Sequence, residues 1–385
     1  MKIICDRVNR KGSELKICID IQAAVSQGAG VGRYARLLAE HLSKLPGAAG
    51  LSFFYFDFMR RGLSTSTPPA NARAVRWCPG RIVQACWKRL DWPPFEWFAG
   101  KADLYHFPNF IIPPLGRGKC AVTIHDASFL RLPDFTESGN LAYLRAAIKN
   151  TVRRADAIIT ISHFSASELA FFFPEARSKT HVIYPGILEH MAHFSPPAEA
   201  GIRQAKGLLR PYILTVGTLE PRKNIEFLVQ VFETMPDFRG ELVIAGRRGW
   251  KYEAIIDRLR SSSRAGDIRL LENVDDRELP AIYAGAELFL FPSHYEGFGF
   301  PPLEAFACGA PVISSTGGSL KEVLGEGARL IDEYDARQWA DAAMVLMNDR
   351  QARQALIDRG RRQVAKYRWM ETARQTMALY RGIAE

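Results

Sequence analysis

Apolar and polar positions follow two rhythms along this chain. Short, near-continuous apolar runs of strand length recur at 15–21 (LKICIDI), 51–56 (LSFFYF), 102–107 (ADLYHF), 120–126 (CAVTIHD) and 155–162 (ADAIITIS). Between them lie stretches with helical spacing, such as VGRYARLLAEHLSKL after the first run. Runs apolar on both faces suit a parallel sheet covered by helices on each side. In SASELAFFF, Ser165 is followed three residues later by Glu168, a capping-box spacing that predicts a helix starting at Ser165. The rhythm breaks over 185–211, where Pro, Gly and one short helix-like piece mix, and this predicts a linker. It then restarts with PYILTVG, ELVIAG (241–246), IRLLENV (268–274), ELFLFPS (287–293), APVIS (310–314) and ARLID (328–332). Two βαβ-rich halves predict an α/β fold of two Rossmann-like domains facing across a cleft. The expected bounds are 1–190 and 206–367, with a last helix over 368–385 returning to the first domain.

Composition changes this picture little. A chain of 385 residues exceeds one ordinary core, and 47% apolar with 24% charged residues is globular. No apolar run approaches the ~20 residues of a membrane span, and MKIICDRVNRKG lacks a secretory apolar region. The expectation is a cytoplasmic protein. Cysteines 5, 18, 78, 86, 120 and 308 show neither C-x-x-C nor zinc spacing, which predicts free thiols.

Charge changes it more. Residues 1–200 carry 25 Lys and Arg against 16 Asp and Glu, whereas 201–385 carry 26 against 25. A basic first half predicts an anionic partner. Within it, RWCPGRIVQACWKRLDWPPFEWFAGK (76–101) interleaves Trp77, Trp87, Trp92 and Trp97 with Arg76, Arg81, Lys88, Arg89 and Lys101. Aromatics among cations suit an anionic membrane surface, and a packed helix ending in a Pro-containing loop would explain the same residues. A nucleic-acid-binding protein would account for the charge too, but no recognition module is visible.

In open α/β sheets ligands bind beyond the carboxyl ends of strands, and four such loops carry unusual residues. SQGAGVGRYA places Gly28, Gly30 and Gly32 ahead of a helix, where backbone can approach an anion, or simply turn tightly. GTLEPRKN (217–224) brings Arg222 and Lys223 to a solvent-facing strand end, before a helix that Asn224 would cap; this suits a diphosphate. In HYEGFGFPPLEAF, Glu296 and Glu304 stand eight positions apart around Gly297, Phe298 and Gly299, with Pro301 and Pro302 starting a helix whose first turn holds Glu304. Amides there would take oxyanions, and carboxylates would take hydroxyls. In TIHDASF, His125 ends a buried strand, and Asp126 is placed to orient its ring. His106 ends another strand with weaker claims.

The pattern E-G-F-G-x-P-x-x-E at Glu296–Glu304, with G-T-L-E-P-R-K-N upstream, resembles the retaining GT-B glycosyltransferases of family 4, over about Leu15 to Arg381. The likeness is greatest to bacterial mannosyltransferase-like members of polysaccharide assembly. It implies a nucleotide-sugar donor, GDP-mannose first and a UDP-hexose second, and no cofactor or metal. Glu304 would hold ribose hydroxyls and Glu296 donor-sugar hydroxyls. The loop Gly297–Gly299, with Leu303 and the Gly30–Gly32 turn, would line the sugar and diphosphate. Arg222 and Lys223 would neutralise the leaving group, the backbone at Val274 would read the base, and His125 would sit by the reacting sugar. The acceptor implied is a glycan or polyprenyl-diphosphate-linked glycan on the first domain, at the inner face of the cytoplasmic membrane, with no nucleic acid. Residues 1–14 lie outside the pattern, and Asn273 stands where glycine is common, which loosens the base preference. An epimerase or phosphorylase on the same two-domain plan is the alternative chemistry, although no lysine site for a phosphorylase cofactor is recognisable.

Overall fold

The computed structural model describes residues 15–26, 30–60, 71–135, 138–192 and 196–385; Cys5, the first 14 residues and Gly28 lie outside this set. The first sheet is built from β1 (Ile17–Asp20), β2 (Leu51–Phe56), β3 (Ala72–Val75), β4 (Leu104–Phe107), β5 (Lys119–Ile124), β6 (Ala157–Thr160) and β7 (Thr180–Val182). Their order is β3-β2-β1-β4-β5-β6-β7, parallel throughout. The second uses β8 (Tyr212–Val216), β9 (Glu241–Ala245), β10 (Ile268–Leu271), β11 (Leu288–Phe291), β12 (Val312–Ser314) and β13 (Arg329–Leu330), in the parallel order β10-β9-β8-β11-β12-β13. Each sheet winds both ways from its first strand. The crevices between β1 and β4 and between β8 and β11 are therefore the expected ligand positions.

Eight helices position the site: α1 (Val31–Ser43), α2 (Gly80–Leu90), α3 (Ser138–Arg154), α4 (His163–Phe172), α5 (Ile225–Glu233), α6 (Phe300–Ala307), α7 (Leu320–Leu324) and α8 (Trp369–Ala384). One buried cluster covers the outer face of each sheet. A third runs through both domains, from Tyr34 and Leu38 on α1 to Leu303 and Phe306 on α6, with Trp369 and Tyr380 of α8. The helix α8 lies on α1, where Trp369 meets Tyr34 at 5.7 Å between rings. The two chain crossings between domains touch: Thr372 Oγ1 donates to Tyr184 O at 2.7 Å, and Ile187 N–H to Tyr367 O at 3.2 Å.

Two local expectations change. Ser162, not Ser165, caps α4: its hydroxyl accepts the Ser165 N–H at 3.0 Å, while Glu168 pairs with Arg131 at 2.7 Å. His106 is a core residue bridging the Tyr380 hydroxyl (2.5 Å) and Thr123 Oγ1 (2.9 Å), and burial holds its ring neutral, with the pKa pushed down to about 3. It fixes α8 to the first sheet.

Candidate active site

Glu296 is the centre of a buried charge cluster. The strand β11 ends at Phe291, and the chain then turns through Ser293 to place this carboxylate, 6% exposed, at the β8/β11 crevice. It accepts Lys223 Nζ at 2.6 Å, Ser293 Oγ at 2.6 Å and Arg222 Nη1 at 3.3 Å. Arg222 also grips Glu220 at 2.7 Å and the Tyr295 carbonyl at 2.7 Å. Burial alone would raise the Glu296 pKa, but Lys223 and Arg222 outweigh it and hold the carboxyl below its usual range. Arg222 and Lys223 are therefore not solvent-facing: their side chains are only 17% and 12% exposed. They leave a short 3-10 turn, Pro221–Lys223, ahead of α5. Asn224 occupies the cap position but adopts φ 54° and makes no side-chain cap.

The helix α6 begins at Phe300 behind Gly299, so Glu304 is its fifth residue and lies just past the first turn. Pro301 and Pro302 bring no N–H, which narrows the amides free at this terminus to those of Gly299 and Phe300. Gly299 has φ +96°, a conformation suited to glycine. The Phe298 and Leu303 side chains are buried in the core, so only their backbone can meet a ligand. Glu304 is itself engaged: Tyr283 Oη donates to it at 2.9 Å, and Arg33 Nη1 at 2.5 Å.

The first domain closes directly on this loop. Ser162 Oγ donates to the Gly297 carbonyl at 2.8 Å, and within the first domain Ser165 Oγ ties α4 to the His125 carbonyl at 3.0 Å. His125 follows β5 and is buried; its Nε2–H donates to Pro108 O at 2.9 Å, leaving Nδ1 as the acceptor nitrogen. Burial keeps the ring neutral by lowering its pKa. Asp126 does not orient it: that carboxylate accepts from the Ser128 N–H and hydroxyl instead. Gly30 caps α1, and Gly32 is buried inside that helix. Val274 is half-buried beyond β10, next to Asn273, whose φ of 58° accounts for a glycine preference there.

The sequence reading missed Arg33, Asp276 and Tyr283, which meet Glu304 or its partner, and the Thr316–Ser319 loop. In that loop the Ser319 N–H donates to Glu296 O at 2.9 Å. Its signal was present: the T-G-G-S run follows the strand APVIS after one residue, Ser315. The carboxylate of Glu322 crosses the cleft to take the His163 and Phe164 N–H groups, both at 2.8 Å.

Two doubly wound domains with strand-end loops facing each other define the GT-B fold. The comparisons agree: residues 202–363 match the model for glycosyl transferases group 1, and 28–190 that for glycosyltransferase family 4. The chain belongs to glycosyltransferase family 4. It is 32% identical over 290 residues to O-antigen chain mannosyltransferase B of Escherichia coli, covering 73% of this chain and 74% of that one. In fold it resembles sucrose-phosphate synthase of Thermosynechococcus elongatus (TM-score 0.75, 21% identity, 96% and 99% of the two chains). It also resembles HepE of Anabaena, solved with UDP-glucose (TM-score 0.71, 15% identity, 96% and 100%).

Proposed function

We propose that this glycosyltransferase moves mannose from GDP-mannose, with retention of configuration and without a metal or other cofactor, onto a lipid-linked or oligosaccharide acceptor in surface polysaccharide assembly. The observation that carries the reading is the Arg222–Lys223–Glu296 cluster beside Glu304, set at the strand ends where the two domains meet. Two cations there can neutralise a departing diphosphate, while the acids take sugar and ribose hydroxyls. The mannose assignment is supported by the relative named a mannosyltransferase. In the reaction the acceptor oxygen bonds to the anomeric carbon on the face that the diphosphate leaves. The anomeric C–O bond breaks, and the acceptor proton passes to a leaving-phosphate oxygen. Neutral His125 offers Nδ1 to a sugar hydroxyl. Glu296 and Glu304 are committed to binding and do not act as a hydrolytic pair.

Titration calorimetry with GDP-, UDP-, ADP- and dTDP-sugars in the absence of metal tests the donor. GDP-mannose should bind, and Glu304→Ala should weaken it at least ~10-fold by leaving nucleotide hydroxyls unpaired in a closed cleft. A UDP-sugar as sole binder would reassign the donor, and unchanged affinity in Glu304→Ala would remove that residue from the site. A changed nucleotide sugar, in place of released diphosphate, would indicate an epimerase.

We further infer that the enzyme works at an anionic membrane surface. Among the described residues no helix is long and apolar enough to cross a membrane. The 11-residue helix α2, however, buries only Val83. Around it Trp77, Ile82, Leu90, Trp92 and Trp97 are each more than half exposed, beside exposed Arg81, Lys88 and Arg89. So much unburied aromatic surface edged by cations suits a lipid headgroup layer. Co-sedimentation with phosphatidylglycerol vesicles should be strong at low salt, weaken at high salt, and fall in Trp77→Ala/Trp97→Ala. Absent binding, or binding indifferent to salt, would refute this electrostatic docking.

A further inference from the structure

Arg33 is the one residue of α1 that reaches the acid expected to hold the nucleoside. Its Nη1 donates to Glu304 at 2.5 Å and its Nη2 to Asp276 at 2.7 Å, so one guanidinium from the first domain spans two carboxylates of the second. The third donor of the fork, Nε–H, is buried and has no hydrogen-bond partner. Folded proteins rarely leave a buried donor unpaired, and one left so inside a binding cleft is a place for a ligand acceptor.

A purely structural pin explains these contacts less well. Arg36, one turn further along α1, already reaches Asp276 at 3.6 Å, so the domains would stay linked there without Arg33. Across the cleft Glu322 supplies another inter-domain link by capping α4. Glu304 has its own-domain partner in Tyr283. What Arg33 adds is a planar cation on the carboxylate assigned to the donor, with its buried Nε–H unpaired. Planar forks of this kind match phosphate and vicinal oxygens.

We propose that Arg33 is a donor-binding residue that couples nucleotide occupancy to domain closure: it shares Glu304 with the ribose, and its free Nε–H takes an oxygen of the bound nucleoside diphosphate. This rests on the reading that the nucleoside lies against Glu304. Because α1 belongs to the first domain, a contact from Arg33 to the nucleotide ties that domain to a ligand otherwise held by the second. Donor affinity and closure then rise and fall together.

The test is calorimetry with GDP and GDP-mannose on wild type, Arg33→Ala, Arg33→Lys and Glu304→Ala, with small-angle scattering before and after ligand and a melting curve for each. Arg33→Ala should weaken GDP ~10- to 100-fold and lose the ligand-induced compaction while staying folded. Arg33→Lys, which keeps the charge but not the fork, should recover part of the affinity. If Arg33→Ala is too unstable to titrate, the Lys variant carries the test, and wild-type affinity in it would overturn the proposal. Unchanged affinity in a folded Arg33→Ala would reduce Arg33 to an inter-domain pin. Tighter binding would make it a plug that the donor must displace, which also overturns the proposal. A wild type that binds no nucleoside diphosphate, or a Glu304→Ala variant that binds normally, would instead sink the donor-site reading itself.

Discussion

Lys223→Met will cost this enzyme both turnover and stability, and adding Glu296→Gln will return the stability alone. Glu296 is buried, and Lys223 is its closest cation, at 2.6 Å. Taking one partner from a buried pair strands the other, typically at ~3–5 kcal/mol, whereas neutralising both is nearly free. Arg222, at 3.3 Å, will cover part of the loss, so the single variant should fall toward the lower end of that range. The pH dependence has a definite sign. The folded Glu296 pKa lies below its unfolded value, so its contribution is present above about pH 4.3 and fades as pH falls through the folded value. Turnover obeys a different rule. If Lys223 faces the departing diphosphate, its loss removes charge stabilisation worth ~10²–10³ in rate, and a neutral pair cannot replace it. Urea unfolding and nucleoside diphosphate release, measured on the single and double variants, separate the two effects. Recovery of turnover together with stability in the double variant would make the cluster structural.

The parts of this molecule that were legible in its sequence are those held by local or strand-length patterns. All eleven anticipated strands form, because buried parallel strands announce themselves as apolar runs such as AIIT in β6 and LFLF in β11. The two strands missed, ARAV and THV, are the outer edges of the first sheet. Both pair on one side only and stay partly exposed, and their short segments mix charged or polar with small residues, so no apolar run marks them. The site shows the same division. Glu296, Glu304, Arg222 and Lys223 were singled out from spacing and strand-end position. Who pairs with whom was not legible, because Arg33 and Glu304 are 271 positions apart and Lys223 and Glu296 are 73 apart. Burial of the cations was misjudged for the same reason: the strand end is a cleft only until the other domain and the Ser293–Glu296 turn cover it. The helix starts moved by one to three residues where capping was decided by tertiary contacts, as at Ser162, whose hydroxyl also holds the Gly297 carbonyl.

Gly297→Ala should abolish transfer while leaving each domain folded. A Cβ at this position would lie 2.6 Å from the His125 carbonyl oxygen and 2.9 Å from Asp126 Cβ, both in the first domain. The nearest obstruction is backbone, which cannot rotate aside, and ordinary contact needs about 1 Å more. Gly297 is not among the positive-φ glycines, so alanine suits its own domain, and the conflict arises only when the cleft closes. Closure in this form carries the Ser162 bond to the Gly297 carbonyl and brings His125 to the Glu296 loop. A misplacement of about 1 Å between reacting groups costs on the order of 10² in rate, so the variant should turn over at least that much more slowly with a near-native melting temperature. Gly299→Ala is the contrasting case. Its φ of +96° and a Leu320 Cδ2 only 2.7 Å from the new Cβ put the strain inside the second domain, so its melting temperature should drop. Scattering should show Gly297→Ala remaining extended with saturating donor. Wild-type turnover in that variant would mean that the closed arrangement is not the reactive one, and would move the chemistry away from the contact between His125 and the Glu296 loop.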